Sequence, residues 1–209
     1  MLNKNAQWFA GNADKISTFE KWVRLVRNDF PRQVASLCAS AAKTAIDELQ
    51  QKKGKIGTSP YRVHQGESPE GVEAILFLNG GYDTEKWKGT MIGVWVPYDC
   101  AWVSSENEPS YIPRLGLYFL GKSKTHTRMA GDTLASAIHQ IPQKLGDKIA
   151  RYVDEDNAYV FVRRHLQDVL TRDALQKPDS LEKRLSSILV EFTSAVHPLL
   201  EKARLKYPY

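Results

Sequence analysis

Between residues 61 and 120 the chain carries five short runs rich in β-branched and aromatic residues. They are YRVHQ (61–65), VEAILFLN (72–79), TMIGVWVPY (90–98), AWVSS (101–105) and RLGLYFL (114–120). Turn formers separate them: Gly66, Pro69, the Asn79-Gly80-Gly81 triplet, Pro97 and Pro109. Such a block predicts a mostly antiparallel sheet of three to five strands within 60–121. VEAILFLN and RLGLYFL are nearly continuous in apolar residues, so both faces of each are covered and both are central strands.

The apolar period is helical on either side of this block. Ile16, Phe19, Val23 and Val26 mark a first helix. A second starts at an Asn28 or Asp29 cap, carries Pro31 in its first turn and runs to Lys53. Its stripe is Val34, Leu37, Cys38, Ala41, Ala42, Ala45, Ile46 and Leu49, with alanines that permit close packing and Gly54 as the stop. Downstream, Leu134, Ala137, Ile138, Ile141, Leu145 and Ile149 predict a helix over 132–151, bent at Pro142. AYVFV (158–162) reads as one more strand. Helices fill 163–205: one from Arg163 to Leu175, then one opened by an Asp179 cap with Glu182 three residues on, a capping box. His197-Pro198 bends or splits that last helix. The sum is a single α+β domain over 1–209: helices at 16–53, sheet at 60–121, helix at 132–151, strand at 158–162, helices at 163–205.

This order, helix, three strands, helix, strand, resembles the αβββαβ core of the restriction-endonuclease-like nucleases. The resemblance implies a metal held by an acid and by Asp/Glu-x-Lys on the next strand. That tripeptide does not occur in the chain. The nearest segment, YDTEKWKG (82–89), has the wrong spacing and follows a turn. A nuclease-like protein on this frame has an atypical or degenerate site.

Other chemistry is bounded in the same way. The five histidines show no His-x-x-x-His spacing and the two cysteines form no zinc motif, so no metal and no cofactor is expected. Gly-x-Ser-x-Gly is absent. Two cysteines also make no disulfide framework, Cys38 reads as a buried thiol, and the first residues lack the apolar core of a secretory signal. No run of about 18 apolar residues exists to span a membrane. These features point to a reducing compartment, the cytoplasm.

GLYFLGKS (116–123) has the letter pattern of a nucleotide-binding P-loop. Its variable positions, Leu117, Tyr118, Phe119 and Leu120, are strand formers too bulky for a phosphate cradle, and the following helix is predicted only from Asp132. The segment reads as a central strand opening into a basic loop, GKSKTHTRM (121–129).

Charge then gives the leading functional expectation. The net charge is +5, which leans toward an anionic partner. Two stretches are free of acids: one holds Lys52, Lys53, Lys55 and Arg62, the other Arg114, Lys122, Lys124, His126 and Arg128. Together with Trp87, set between Lys86 and Lys88 and able to stack on a base or fold back over the sheet edge, they form a candidate phosphate-backbone surface. The expected function is a non-enzymatic nucleic-acid-associated domain contacting DNA or RNA through Lys122, Lys124, His126 and Arg128, helped by Lys52, Lys53, Arg62 and Trp87. The alternative is a homo-oligomeric assembly protein paired through helices 31–53 or 180–205. At 163–165, Arg163 and Arg164 point different ways, and Asp154-Glu155-Asp156 reads as a solvated turn.

Overall fold

The expected sheet is present, and it is larger than three to five strands. A computed structural model of the chain describes residues 4–52, 60–99 and 112–208. In order these form α1 (Lys4–Lys52), β1 (Tyr61–Ser68), β2 (Gly71–Leu78), β3 (Tyr82–Asp83), β4 (Lys88–Pro97) and β5 (Arg114–Leu120). Then follow α2 (Lys124–Ala135), two short turns of tighter helix, β6 (Asp147–Val153), β7 (Ala158–His165), α3 (Arg172–Leu175) and α4 (Pro178–Lys206). The seven strands make one antiparallel sheet in the order β1-β2-β4-β5-β7-β6, with two-residue β3 paired to β4. The AWVSS run lies outside the described residues, as do Cys100 and Lys53.

Period-two alternation divides the strands between two layers. Val72, Ala74, Leu76 and Leu78 of β2, Ile92, Val94 and Val96 of β4, and Leu115, Leu117 and Phe119 of β5 face the helices. The stripe predicted on α1 packs there, from Val34 to Leu49, beside Leu181, Leu185, Leu189, Phe192 and Val196 of α4. Both stripes offered for pairing across a two-fold axis are therefore consumed inside the chain, where α1 and α4 touch each other. Burial pushes the Cys38 thiol up to about 12, as an inert core thiol requires. The alternate residues form a second cluster, Ile75, Phe77, Tyr82, Met91, Tyr118, Ala158 and Val160, to which no described helix contributes.

Several elements differ from expectation. The helix expected over 132–151 starts at Lys124 and ends at Ala135, and 147–153 is strand β6. The buried positions of α2 are Thr127, Ala130, Gly131 and Leu134, mostly too small or polar to register as an apolar stripe. Gly146, at φ 148°, breaks the chain before β6. β7 runs on to His165, so the helix expected from Arg163 is reduced to α3. The two N-terminal helices are one, with Pro31 inside it. One lost hydrogen bond at a proline does not end a helix whose next turns are packed on a sheet. The capping box does not form: α4 begins at Pro178, and the Glu182 carboxylate instead accepts a hydrogen bond from Ser40 Oγ. Five strands precede α2 and two follow it, so the αβββαβ order is not reproduced.

Candidate functional site

The basic segment after β5 is the first place to look, and its backbone is already occupied. The strand continues through Leu120, so Leu117 to Phe119 are core and no phosphate loop exists there. Ser123 caps α2 by accepting from the His126 amide at 3.1 Å. The Gly121 amide donates to Thr127 Oγ1 at 2.8 Å and the Lys122 amide to His126 Nδ1 at 3.0 Å. The amides that a P-loop would offer to phosphate are thus spent on side chains of the first turn. A strand–turn–helix context is present after all, but it is closed.

The described members of the expected site fall in two places, on opposite sides of the sheet. Lys122, just before α2, and Lys124 and Arg128, on its first turns, are exposed. Lys124 and Arg128 both approach Asp154, at 3.7 and 3.9 Å, and Arg128 lies 4.6 Å above the Tyr152 ring. His126 is half-buried between the rings of Phe119 and Tyr207. Arg62 is on edge strand β1 opposite Phe77, whose side chain belongs to the helix-free cluster, so it stands on the other side of the sheet from α2. Trp87 is on that side too. Lys52 ends the described part of α1, but its side chain lies outside the described residues, so the structure does not place it against the others.

A different constellation occupies the helix-free face. Strand registers set Glu73 on β2 between Gly66 on β1 and Trp95 on β4; Trp95 is opposite Arg114 on β5, and Arg114 opposite His165 on β7. The next row holds Ile75, Gly93, Gly116 and Arg163. Two adjacent glycines leave that row without side chains at its centre, and the Tyr118 ring lies flat in the space. A Cβ on Gly116 would be 2.5 Å from the Tyr118 ring and hydroxyl, and one on Gly93 would be 3.5 Å from the ring. Trp87, at φ 54°, lays its indole over Gly66, where a Cβ would sit 1.7 Å from Cη2. Its ring meets the edge of His64, centroids 5.4 Å apart. Glycine inside a strand marks a close approach of this kind.

Between Trp87, Trp95, the β1–β2 turn and the Glu155-Asp156 turn lies a groove of about 490 Å³, the size of a small-molecule site. Its floor is Met91, Gly93, Tyr118, Leu120 and Ala158. One wall is an ion cluster. Asp156 takes one hydrogen bond on each carboxylate oxygen, from Arg114 Nη2 at 2.8 Å and Arg163 Nη2 at 2.9 Å. Arg114 also stacks 4.5 Å above Trp95. Asp156 is thus no solvated turn residue but the clasp between two strands. Beside it Arg114 Nε and Arg163 Nε are buried without a partner among the described residues, and the buried Tyr118 hydroxyl lies by the Arg163 guanidinium. Burial lowers the basicity of His165, and the Arg163 and Arg114 charges add to the effect.

Glu73 differs from the other acids at the groove. Glu67 is tied to Arg32 Nη2 at 2.6 Å and to the Tyr98 hydroxyl, which hold its carboxyl below the usual range. Glu73 makes no hydrogen bond and no ion pair among the described residues. Burial pushes its carboxyl above the usual range; the Arg114 charge opposes the shift and Asp156 adds to it. No three His, Cys, Asp or Glu side chains among the described residues converge as metal ligands would.

None of these groups was singled out from the sequence as part of a groove. Two signals were there to read: a lone acid, Glu73, inside an apolar strand, and single glycines, Gly93 and Gly116, inside neighbouring strands. Comparison with protein-family models, with curated proteins and with solved structures returns no match for this chain.

Proposed function

We propose that the chain is a ligand-binding domain whose ligand lies in the groove of the helix-free face. The observation that carries this reading is the glycine floor. Gly93 lines the groove without a side chain, Gly116 lets the Tyr118 ring lie down as part of the floor, and tryptophans and charged groups rim the gap. An antiparallel sheet can leave one face to water, but such a face is then polar. Here it holds Trp87, Trp95, Met91 and Tyr118, the composition of a recognition surface. Binding is supported more directly than turnover, because no nucleophile stands beside a general base among the described groove residues.

The test is a fragment screen read by amide chemical shifts on the full chain. Ligands are expected to move Glu73, Trp95 and Gly116 together. Gly116→Ala, which displaces the Tyr118 ring, is expected to abolish those shifts while the rest of the spectrum is kept. A screen that moves only residues away from the groove would overturn the reading.

A second reading keeps the phosphate-backbone partner, DNA or RNA, on the other side of the molecule. It is favoured by the exposure of Lys122 just before α2 and of Lys124 and Arg128 on its first turns, although Asp154 offsets part of the charge of the last two. Its mark would be binding of single- or double-stranded oligonucleotide at low salt that is lost in a Lys122→Glu, Lys124→Glu, Arg128→Glu triple variant. Gly116→Ala would leave that binding intact.

A further inference from the structure

Resting on the groove reading above, we propose that the groove takes a small organic cation, an ammonium on an apolar or aromatic body. Its charge would sit against Glu73 between Trp87 and Trp95, and its body would lie over the Gly93–Tyr118 floor. Five carboxylates line the groove, Glu67, Glu70, Glu73, Glu155 and Asp156, against the single guanidinium of Arg114. Adding Arg163 behind Asp156 and Arg32 behind Glu67 still leaves two more negative charges than positive.

The positive groups are also the committed ones. Arg114 and Arg163 share Asp156, Arg114 covers one side of Trp95, and Arg32 holds Glu67. An anionic ligand would compete with Asp156 for both guanidiniums, because the two Nε–H donors that Asp156 leaves over are buried. Glu73, Glu70 and Glu155 make no side-chain ion pair among the described residues, and Glu73 is the one set down between indoles. A carboxylate in such a place is costly without a counter-charge. An ammonium supplies one, and it gains the negative faces of the tryptophan rings as well. Burial of the Glu73 carboxyl agrees with this, since the ionised form lacks a partner of its own. A bare metal ion fits poorly, because it needs several oxygen ligands at once and Glu73 has none beside it.

Three probes that share one ring and differ in charge test the class: benzyltrimethylammonium, benzyl alcohol and benzoate. Each is titrated into the full chain, with tryptophan fluorescence and amide shifts as readouts. The cation is expected to bind about tenfold tighter than the other two. Glu73→Gln is expected to remove that preference and leave the weak binding of benzyl alcohol unchanged. Trp95→Leu is expected to weaken the cation alone, with the amide spectrum of the helix-covered face preserved. Equal binding of the three, or tightest binding of benzoate, would overturn the cation while leaving the groove in place. If none of them moves Glu73, Trp95 or Gly116, and the wider fragment screen is silent there too, the groove reading falls with it.

Discussion

Phe119 and Tyr118 are neighbours in β5 and meet opposite fates. Phe119 points into the helix layer and is fully buried among Phe161, Leu134 and the C-terminal helix. Tyr118 points the other way, folds over glycine and buries its hydroxyl beside the Arg163 guanidinium. The contrast extends over the whole sheet. The helix-covered face is closed by aliphatic and aromatic side chains from α1, α2 and α4, and few polar atoms enter it. Among the described residues the other face is closed only in part, by two tryptophans, one turn and a clasp of charges. Packing at high density excludes ligand, whereas a face with a groove of about 490 Å³ has room for one.

The comparison can be broken at its strong side first. Phe192→Ala removes a fully buried ring of α4 and is expected to cost about 3–5 kcal/mol in urea unfolding. Met91→Ala on the groove floor is expected to cost clearly less. Equal losses would mean that the two faces are packed alike.

The clasp comes next. Asp156→Asn weakens the link between Arg114 and Arg163, whose side chains are 14% and 18% exposed. Since Asp156 itself is 26% exposed, the cost is discounted to roughly 1–3 kcal/mol by the same assay. An unchanged denaturation midpoint would show that the clasp is ornamental to the fold.

The smallest effect is the most diagnostic. Glu73→Gln is expected to stabilise the ligand-free protein at pH 7, by on the order of 1 kcal/mol, because it removes a carboxylate that burial penalises. The sign follows from linkage. A carboxyl raised in the folded state binds its proton more readily there than in the unfolded chain. Its contribution to stability is therefore lost as pH rises from the ordinary carboxylate value through the raised one. The wild-type chain should fall behind Glu73→Gln as pH rises across that window, and the two should agree below it. A destabilised Glu73→Gln at neutral pH would show that the carboxylate has a structural partner and is not waiting for a ligand.

Much of the fold was legible because period is a local property. The strand runs at 61–65, 72–79, 90–98 and 114–120 all lie in strands, and the stripes on α1 and α4 are core. α2 was misplaced because Thr127, Ala130 and Gly131 bury without looking apolar. β6 was read as helix because Leu145 and Ile149 happen to keep helical spacing across Gly146. The groove was not legible at all. Its parts come from five strands, and Glu73 meets Trp95, Arg114 and Asp156 only through registers that no single segment encodes. Of the two readings open to Trp87, stacking with the basic surface or folding back over the sheet edge, the fold takes the second and sets it over Gly66 and against His64 of edge strand β1.

The sequence by itself determined an α+β chain with an antiparallel centre and apolar helix stripes at both ends, since alternation and the 3.6-residue period are written in neighbouring residues. It also determined that no described helix is long and apolar enough to cross a membrane. Tertiary structure alone decided which face the helices leave bare, that Asp156 locks two arginines, and that Glu73 stands unpaired between two indoles. Those facts depend on contacts between residues tens of positions apart. Their energies are set by burial and charge in three dimensions, and neither can be read along one.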